Sequence, residues 1–218
     1  TPTDPSATGR ATATDNCDPV FEITYTDATA PGTCPQGKVI TRTWRARDDC
    51  QNISTCVQRI SVVDTTPPVV TCPPNRTVDC DHPTDSVTLG TASARDNCDL
   101  NPAIASSDTI VPGRCPQEKT INRTWTATDA CGNQATCLQT IRLVDTKPPV
   151  VVCPSNKTLE CDQVINFGTP TVTDNCDPAP RVTSTDTVTP GRCPQERTIV
   201  RTWTATDACG NAASCQQT

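Results

Sequence analysis

Sixteen cysteines recur in a fixed pattern along this 218-residue chain. The tetrapeptide Asp-Asn-Cys-Asp occurs at residues 15–18, 96–99 and 174–177, so its copies lie 81 and then 78 residues apart. The other cysteines follow the same spacing, as do Trp44, Trp125 and Trp203. Self-similarity at a fixed period is the signature of a repeat architecture. It predicts three related domains: residues 1–64 (repeat 1, which lacks its first strand), residues 65–145 (repeat 2, complete) and residues 146–218 (repeat 3, truncated at its last strand).

Composition excludes several classes of protein. Hydrophobic residues make up 34% of the chain, whereas apolar residues are roughly 45–50% of a typical globular domain, so one large core is excluded. The net charge of −6 argues against nucleic-acid binding, which needs clustered positive charge. No apolar run approaches the roughly 18 residues of a membrane span. A chain so rich in cysteine is typical of proteins that are secreted or displayed at the cell surface.

Alternation of apolar and polar residues predicts β-strands. In residues 121–129, isoleucine, tryptophan and alanine fall on one face of a strand and threonines on the other. The turn Cys131-Gly132-Asn133 and the alternating residues 135–143 complete a β-hairpin. Helical periodicity is absent and prolines are frequent. About seven short strands in each repeat of roughly 80 residues indicate an all-β chain of small sandwiches.

Two motifs in a fixed order carry a resemblance to a known family. Thr-Trp-Thr-Ala-Thr-Asp-Ala-Cys-Gly-Asn occurs at residues 124–133 and 202–211, and Val-Asp-Thr-x-Pro-Pro occurs at residues 63–68 (the first joint) and 144–149 (the second joint). The chain resembles the hyalin-repeat (HYR) family over nearly its whole length. The resemblance implies a tandem array of disulfide-rich immunoglobulin-like domains in an extracellular adhesive or surface protein. Repeat 1 departs from the motif, since Gln51 replaces the glycine of the hairpin turn.

All sixteen cysteines are expected to form disulfide bonds, because such small sandwiches bury too little apolar surface to be stable without them. Repeat 1 lacks counterparts of Cys72 and Cys80, yet its number of cysteines is still even. Cys72 and Cys80 are therefore expected to bond to each other. The turns of Cys98 and Cys131 lie at one pole of an immunoglobulin-like unit, which favours their pairing; a Cys131–Cys137 bond is the alternative. The predicted bonds are Cys72–Cys80, Cys153–Cys161, Cys17–Cys50, Cys34–Cys56, Cys98–Cys131, Cys115–Cys137, Cys176–Cys209 and Cys193–Cys215.

Aspartates concentrate around the two joints. In an immunoglobulin-like unit, two loops of each repeat face the end of the preceding repeat, so their aspartates are expected near the aspartate of the joint. Such oxygen ligands suit Ca²⁺, but the same side chains also suit the capping of turns, and no other cofactor is expected. The candidate calcium ligands are Asp64, Asp96, Asp99 and Asp129 at the first joint, and Asp145, Asp174, Asp177 and Asp207 at the second.

Two further sets of residues recur. Asn-x-Ser/Thr sequons predict N-glycosylation at Asn52, Asn75, Asn122 and Asn156. The three tryptophans share a strand face with isoleucine and alanine, which indicates core packing rather than a row of carbohydrate-stacking rings.

These features favour a non-enzymatic structural or interaction protein: a segment of a secreted tandem-repeat rod that forms an extracellular fibre, filament or adhesin stalk. Its expected partners are further copies of the repeat, since a copy of residues 141–162 placed after Thr218 restores the register with Thr1. Cell-surface or matrix glycans and proteins are further candidates. The alternative is a spacer or a carbohydrate- or protein-binding module of a larger secreted enzyme or receptor. No catalytic residue is predicted, because the only histidine, His82, has no nucleophile partner and the carboxylates recur with the repeat.

Overall fold

The computed structural model describes residues 2–17, 19 and 21–218. Thr1, where the first predicted domain begins, and Asp18, from the first Asp-Asn-Cys-Asp copy, lie outside the described residues. The chain divides into two compact units: Thr1–Cys72, Ala92–Ser106 and Trp125–Cys137 form one, and Pro73–Thr91, Ser107–Thr124 and Leu138–Thr218 form the other. The first joint lies in the first unit and the second joint in the second. The domain boundaries at residues 64 and 145 stay a prediction.

Regular structure is almost entirely β-strand. In chain order the elements are α1 (Pro5–Thr8), β1 (Glu22–Pro31), β2 (Lys38–Arg47), β3 (Ile53–Val62), β4 (Val69–Thr71), β5 (Arg76–Asp79), α2 (Ser86–Leu89), β6 (Ser93–Arg95), β7 (Ala103–Pro112), β8 (Lys119–Thr128), β9 (Gln134–Val144), β10 (Val150–Val152), β11 (Thr171–Thr173), β12 (Arg181–Pro190), β13 (Arg197–Thr206) and β14 (Ala212–Gln217).

Each repeat is built on a meander of long strands. The sheets run in the order β1-β2-β3 in repeat 1, β5-β9-β8-β7 in repeat 2 and β12-β13-β14 in repeat 3. Small antiparallel pairs add a second layer, β4 with β6 in repeat 2 and β10 with β11 in repeat 3. Strand β5 is parallel to β9. The prediction of tandem, disulfide-rich, immunoglobulin-like β-sandwiches is confirmed.

Two details differ from the sequence-based expectation. Repeat 2 has six strands among its described residues rather than about seven. The helical turns α1 and α2 also occur, each only four residues long and therefore too short to show a helical period. Both begin at an aspartate that caps the helix: Asp4 accepts a hydrogen bond from the Ser6 amide at 2.9 Å, and Asp85 accepts one from the Thr88 amide at 2.9 Å.

The predicted alternation places the core. Along β8, buried residues alternate with half-buried ones from Ile121 to Ala127, and Trp125 is 4% exposed. Trp44 and Trp203 are also buried, so the core role expected for the three tryptophans is confirmed. In repeat 2, Leu89, Ile121, Ile141 and Leu143 form a cluster against which Val78 packs.

An aspartate fixes the hairpin turn that leads out of the central strand. In repeat 2, Asp129 Oδ1 accepts hydrogen bonds from the amides of Cys131 (2.9 Å) and Asn133 (2.8 Å). Gly132 has a φ of +91°, in the region that glycine tolerates best. Gln51 occupies the same position in repeat 1 with a φ of +74°, and the Asp48 carboxylate still accepts from the Asn52 amide at 2.7 Å. The loss of glycine therefore leaves the turn in place.

Candidate functional site: the joints between repeats

Disulfide bonds cross both joints. Cys34 of repeat 1 bonds to Cys131 of repeat 2 across the first joint, with a Cα–Cα distance of 4.9 Å. Two bonds, Cys80–Cys176 and Cys115–Cys209, cross the second joint. The other two bonds of the described chain, Cys72–Cys137 and Cys153–Cys215, lie within repeats 2 and 3. Consecutive repeats are therefore covalently linked to each other by more than the peptide chain.

The predicted cysteine pairs were wrong. None of Cys72–Cys80, Cys153–Cys161, Cys98–Cys131, Cys115–Cys137 and their equivalents is formed. The prediction treated each repeat as closed, whereas three of the bonds join neighbouring repeats, so the number of cysteines in one repeat sets no pairing. Cys72 and Cys80 also follow strands of different sheets, because β4 pairs with β6 while β5 pairs with β9.

Six cysteines are unpaired and exposed within the part of the chain that the structure describes. Each is the counterpart, one or two repeats away, of a cysteine that is bonded. A disulfide at these positions stays a prediction. They are Cys17, Cys50, Cys56, Cys98, Cys161 and Cys193.

Hydrogen bonds hold the proline-rich joints against the following repeat. Asn133 Nδ2 donates to the backbone oxygen of Asp64 at 3.1 Å in the first joint, and Asn211 Nδ2 donates to that of Asp145 at 3.1 Å in the second. Lys147 of the second joint also forms an ion pair with Asp79, and this contact lowers the pKa of the Asp79 carboxyl. Asparagines at equivalent positions of repeats 2 and 3 thus anchor the two joints.

The second joint gathers three of the predicted calcium ligands. Oxygens of Asp145, Asp174 and Asp207 all lie within 4.8 Å of one another. Asp145 Oδ2 and Asp174 Oδ2 are buried and lack a hydrogen-bond partner among the described residues. Burial raises the pKa of Asp145 above its usual range, and the carboxylates of Asp207 and Asp174 raise it further. The cluster is an electrostatically unfavourable arrangement that a cation would relieve.

The first joint brings together fewer of these residues. Asp64 and Asp96 approach each other beside Cys98, and one oxygen of each is buried without a hydrogen-bond partner in the described part of the chain. Asp99 instead accepts a hydrogen bond from the Ala130 amide at 2.9 Å, and Asp177 accepts one from the Ala208 amide at 2.8 Å, so both link two loops of one repeat. Asp129 caps its hairpin, as described above. Calcium at either joint stays a prediction.

An inward-facing arginine that pairs with an aspartate in every repeat was missed by sequence reasoning; Arg42 and Arg123 are buried, and Arg201 is half-buried. Arg123 forms two hydrogen bonds with Asp108, from Nε (2.7 Å) and Nη2 (2.8 Å). The equivalent pairs are Arg42 with Asp27 and Arg201 with Asp186. The signal was present, because each arginine lies two residues before the tryptophan on the inward face of its strand.

The predicted glycosylation sites are not equally accessible. Asn52, Asn75 and Asn156 are exposed, whereas Asn122 is half-buried within β8. Asn75 and Asn156 use Oδ1 to accept hydrogen bonds from the amides of Thr140 (2.8 Å) and Thr218 (2.9 Å). Asn52 Nδ2, the atom to which a glycan would attach, donates to Asp48 at 2.7 Å. Glycosylation stays a prediction at all four positions.

Comparison with known proteins agrees with the repeats and their joints. The HYR domain family matches residues 63–143 and 144–218, which together are well over half of the chain. The chain belongs to the HYR family. The second joint thus lies where two HYR matches meet, and the resemblance inferred from the motifs is confirmed.

The relatives with curated names are longer proteins. Hyalin of Lytechinus variegatus is 36% identical over 199 residues, which are 84% of this chain and 36% of the relative. Hyalin of Strongylocentrotus purpuratus is 32% identical over 219 residues, covering 95% of this chain and 18% of the relative. A mouse protein named for its sushi, von Willebrand factor type A, EGF and pentraxin domains is 29% identical over 165 residues, or 5% of its own length. This chain therefore spans between 5% and 36% of the length of these relatives.

Similarity to solved structures is weak. The extracellular cadherin domains 1–4 of protocadherin gamma B7 align with 90% of this chain at 15% identity and a TM-score of 0.33, a score too low to support an argument. No helix in the described part of the chain is long and apolar enough to cross a membrane. The hyalin relatives and the disulfide bonds place the protein outside the cell, secreted or at the cell surface.

Proposed function

We propose that this HYR-repeat protein is a non-enzymatic structural element, a segment of an extracellular fibre or adhesive stalk. The observation that carries the proposal is the second joint, which Cys80–Cys176 and Cys115–Cys209 cross from different loops. Two bonds across one joint restrict its bending and twisting far more than a proline-rich linker alone. Such links bring no advantage to repeats that serve only as a spacer. In an array under tension, they hold neighbouring repeats together.

The proposed partners are further HYR repeats, with cell-surface or matrix glycans and proteins as secondary partners. Near-identical repeats present one surface several times, which multiplies a weak contact into strong overall attachment. Glycans on Asn75 and Asn156 would extend from exposed side chains whose Oδ1 atoms accept the hydrogen bonds to Thr140 and Thr218, which leaves Nδ2 as the attachment atom. Catalysis has no support in the joints, because most of their carboxylates cap turns or bind a lysine.

Electron microscopy of the native material tests this proposal. A fibre or stalk is expected to show a thin filament with an axial spacing of roughly 35–45 Å per repeat, since a strand of about ten residues at ~3.3 Å per residue plus a short joint sets that length. The same preparation after reduction and alkylation is the control, and its filaments are expected to lose their regular spacing. Isolated compact particles in the unreduced sample would contradict the proposal.

A second candidate function has one observation in its favour. The mouse relative carries four other named kinds of domain, and this chain matches only 5% of it. If this chain likewise belongs to a protein with several kinds of domain, its HYR repeats are a spacer or a carbohydrate- or protein-binding module of a larger secreted enzyme or receptor. Sequencing the full open reading frame separates the two candidates: a long run of HYR repeats supports the fibre, and an adjoining catalytic or receptor domain supports the module.

A further inference from the structure

One long strand of each repeat lies at the edge of its sheet. In repeat 3 the sheet order is β12-β13-β14, so β12 bonds to β13 on one side, and no element in the described part of the chain pairs with its other side. All ten residues of β12 are exposed. An edge strand presents a row of unpaired main-chain N–H and C=O groups, which form a ready template for another strand.

The usual protections of an edge strand are missing from β12. Proteins protect their edges with lysine, with proline inside the strand, with β-bulges, with very short strands or with a covering element. β12 is ten residues long, pairs with β13 in a continuous register and contains no lysine. Its proline, Pro190, is its last residue. Its charged residues are Arg181 at the first position and Asp186, which Arg201 holds in an ion pair. The free edge of β12 is therefore open to pairing.

Two exposed valines lie on the inward face of this strand. Val188 lies opposite Ile199 of β13, and Val182 lies opposite Ala205, which is fully buried. Val188 and Val182 are nevertheless 55% and 39% exposed, since β10 of the small second layer lies against β13 and β14. A strand added beside β12 would cover both valines.

A second copy of the same strand fits this edge. When two β12 strands pair antiparallel about a two-fold axis at Thr185, Val182 of each strand lies opposite Val188 of the other. In this register Asp186 lies opposite Ser184, whose hydroxyl can donate to it. An axis at Asp186 would instead place the two aspartates opposite each other, and an axis at Ser184 would place Asp186 opposite Val182. One register alone pairs the valines and separates the aspartates.

The same pattern recurs in repeat 2. β7 ends the four-stranded sheet β5-β9-β8-β7, and all ten of its residues are exposed. Ile104 and Ile110 stand at the positions of the two valines and are 39% and 59% exposed. Repeat 1 departs from the pattern, because the same positions of β1 hold Ile23 and Thr29. Two strands of different sequence thus keep apolar residues at the same two positions of a free edge.

We propose that the free edge of β12 is a docking surface for β12 of a second copy of this chain. The two strands pair antiparallel about Thr185 and join two three-stranded sheets into one of six strands, in which the valines of each copy cover those of the other. Strand addition takes its affinity from main-chain hydrogen bonds and its specificity from alternate side chains. The pairing rests on the proposed function, which it deepens by naming the surface through which two HYR chains associate side by side. The edge of β7 offers the same kind of surface to another β7.

Sedimentation analysis of the 218-residue chain tests the docking surface. The six unpaired cysteines are alkylated beforehand, so that no disulfide bond links two chains. Every chain carries Ile110→Lys, which closes the β7 edge with a lysine. This parent chain is expected to show a weight-average mass that rises up to twofold between about 1 μM and 1 mM, the range in which a contact of such modest size is populated.

Two lysine substitutions separate the edge from the rest of the surface. Val188→Lys is expected to abolish the rise in mass, because the lysine occupies an apolar position of the free edge. Val164→Lys is the matched control: Val164 is an exposed valine of repeat 3 that lies outside the strands, and this variant is expected to associate like the parent chain.

A mixture of two variants tests the register. Val182→Glu alone is expected to stay monomeric, since each introduced carboxylate would lie opposite a valine. In an equal mixture with Val188→Lys, the introduced carboxylate of one chain lies opposite the introduced ammonium group of the other, so association is expected to return. Its return also shows that both variants are folded.

A parent chain that stays monomeric at every concentration would overturn the proposal. Association that survives Val188→Lys, association that is lost in Val164→Lys, or a mixture that stays monomeric would overturn it as well. The fibre is judged separately, by the native filaments. Monomeric chains together with filaments that keep their axial spacing would remove the side-by-side pairing and leave the fibre. Dimers in solution without filaments in the native material would support the pairing and contradict the fibre.

Discussion

Arg123 is a charged side chain in the interior of repeat 2. Its guanidinium is held by the Asp108 carboxylate and by the backbone oxygen of Thr84 at 2.8 Å. Bidentate arginine–carboxylate pairs of this kind are among the stronger hydrogen-bonded contacts in proteins. Because the sandwich has few aromatic residues, a paired arginine with a long apolar stem fills volume that a larger hydrophobic residue fills elsewhere.

Arg123→Ala is expected to destabilise repeat 2 by about 1–3 kcal/mol, because it removes core volume and leaves Asp108 without its hydrogen-bond donors. Thermal melts followed by circular dichroism measure the change. Arg114→Ala is the matched control: Arg114 is highly exposed beside Glu118, and loss of such a surface pair costs less than about 1 kcal/mol. Equal melting temperatures for Arg123→Ala and Arg114→Ala would contradict this view of the core.

The same pair predicts a response to acid. Arg123 lowers the pKa of Asp108 below its usual range, so the pair stabilises the fold above the unfolded pKa near 4 and this stabilisation is lost as the pH falls through the lower folded value. The melting temperature of Arg123→Ala is therefore expected to fall less than that of the wild type over the same acid range. A parallel decline in the two proteins would show that other carboxyls dominate.

The pKa of Asp145 is shifted in the opposite direction from that of Asp108. Its pKa is raised in the folded chain, so its ionisation costs stability as the pH rises from the unfolded value through the folded one. Asp145→Asn is expected to raise the melting temperature in the presence of a chelator at neutral pH by a few degrees, which corresponds to about 1 kcal/mol. In calcium the order is expected to reverse, because the wild type gains a ligand that the variant lacks.

Differential scanning calorimetry with calcium and with chelator checks both statements about Asp145. Asp162→Asn is the control, since this exposed aspartate lies outside the clusters. A wild-type melting temperature that is the same in calcium and in chelator would reject calcium at the second joint, and the cluster would then be a purely destabilising feature of the fold.

At the scale of elements, sequence reasoning succeeded where local geometry decides. The period of two along residues 121–129 and 135–143 predicted β8 and β9, and it predicted that Trp125 faces inward, because alternation is a property of the strand itself. The calcium candidates were placed only in part: Asp145, Asp174 and Asp207 meet, while Asp99 and Asp177 hold loop amides instead. Which oxygens converge depends on loop conformations that spacing does not determine.

The cysteine pairs could not be derived in the same way. A disulfide depends on distance between residues 62 to 97 positions apart, and the repeat pattern is equally compatible with bonds inside a repeat and between repeats. An even number of cysteines in each repeat is compatible with closed repeats but does not require them. Because Cys34, Cys80 and Cys115 all bond to the following repeat, the number of cysteines in one repeat does not determine how they pair.

The Cys72–Cys137 bond gives a test of the small layer. Strand β4 is only three residues long, so its pairing with β6 is too short to be stable on its own. Replacing both cysteines by alanine is expected to lower the stability of repeat 2 by about 2–5 kcal/mol and to speed hydrogen exchange at the amides of Val70 and Ala94. Cys98→Ala, at an exposed unpaired cysteine, is the control and is expected to leave both measurements unchanged. Protection of β4 that survives the double substitution would show that packing alone holds the strand.

Taken over the whole molecule, the five bonds follow three rules. The cysteine after β4 bonds to the last long strand of its own repeat, as in Cys72–Cys137. The cysteine of the turn between the first two long strands bonds to the hairpin turn of the next repeat, as in Cys34–Cys131 and Cys115–Cys209. The cysteine after β5 bonds to the Asn-Cys-Asp turn of the next repeat, as in Cys80–Cys176. By these rules every one of the six unpaired cysteines has its expected partner in a repeat position that this 218-residue chain does not contain.

These rules predict how far the chain can be stretched. With the bonds intact, the shortest covalent path from Thr1 to Thr218 runs to Cys34, crosses to Cys131, returns to Cys115, crosses to Cys209 and continues to the end. This path has about 58 residues and an extended length of roughly 200 Å, whereas the reduced chain would reach roughly 740 Å at ~3.4 Å per residue. Single-molecule stretching of the protein, with the six free thiols alkylated beforehand, measures both lengths.

The stretched length also distinguishes the two connectivities. Bonds closed within each repeat, as parity suggested, would leave a path of about 102 residues and an extension of roughly 350 Å. The variant in which Cys34 and Cys131 are both serine must take the longer route through Cys72–Cys137 and Cys153–Cys215, about 90 residues or roughly 310 Å. A wild-type extension near 200 Å that lengthens in this variant supports covalent joints between repeats, and an extension near 350 Å in the unreduced wild type would refute them. Force applied to the unreduced chain is then expected to pass from repeat to repeat through the disulfides rather than along the whole backbone of each sandwich.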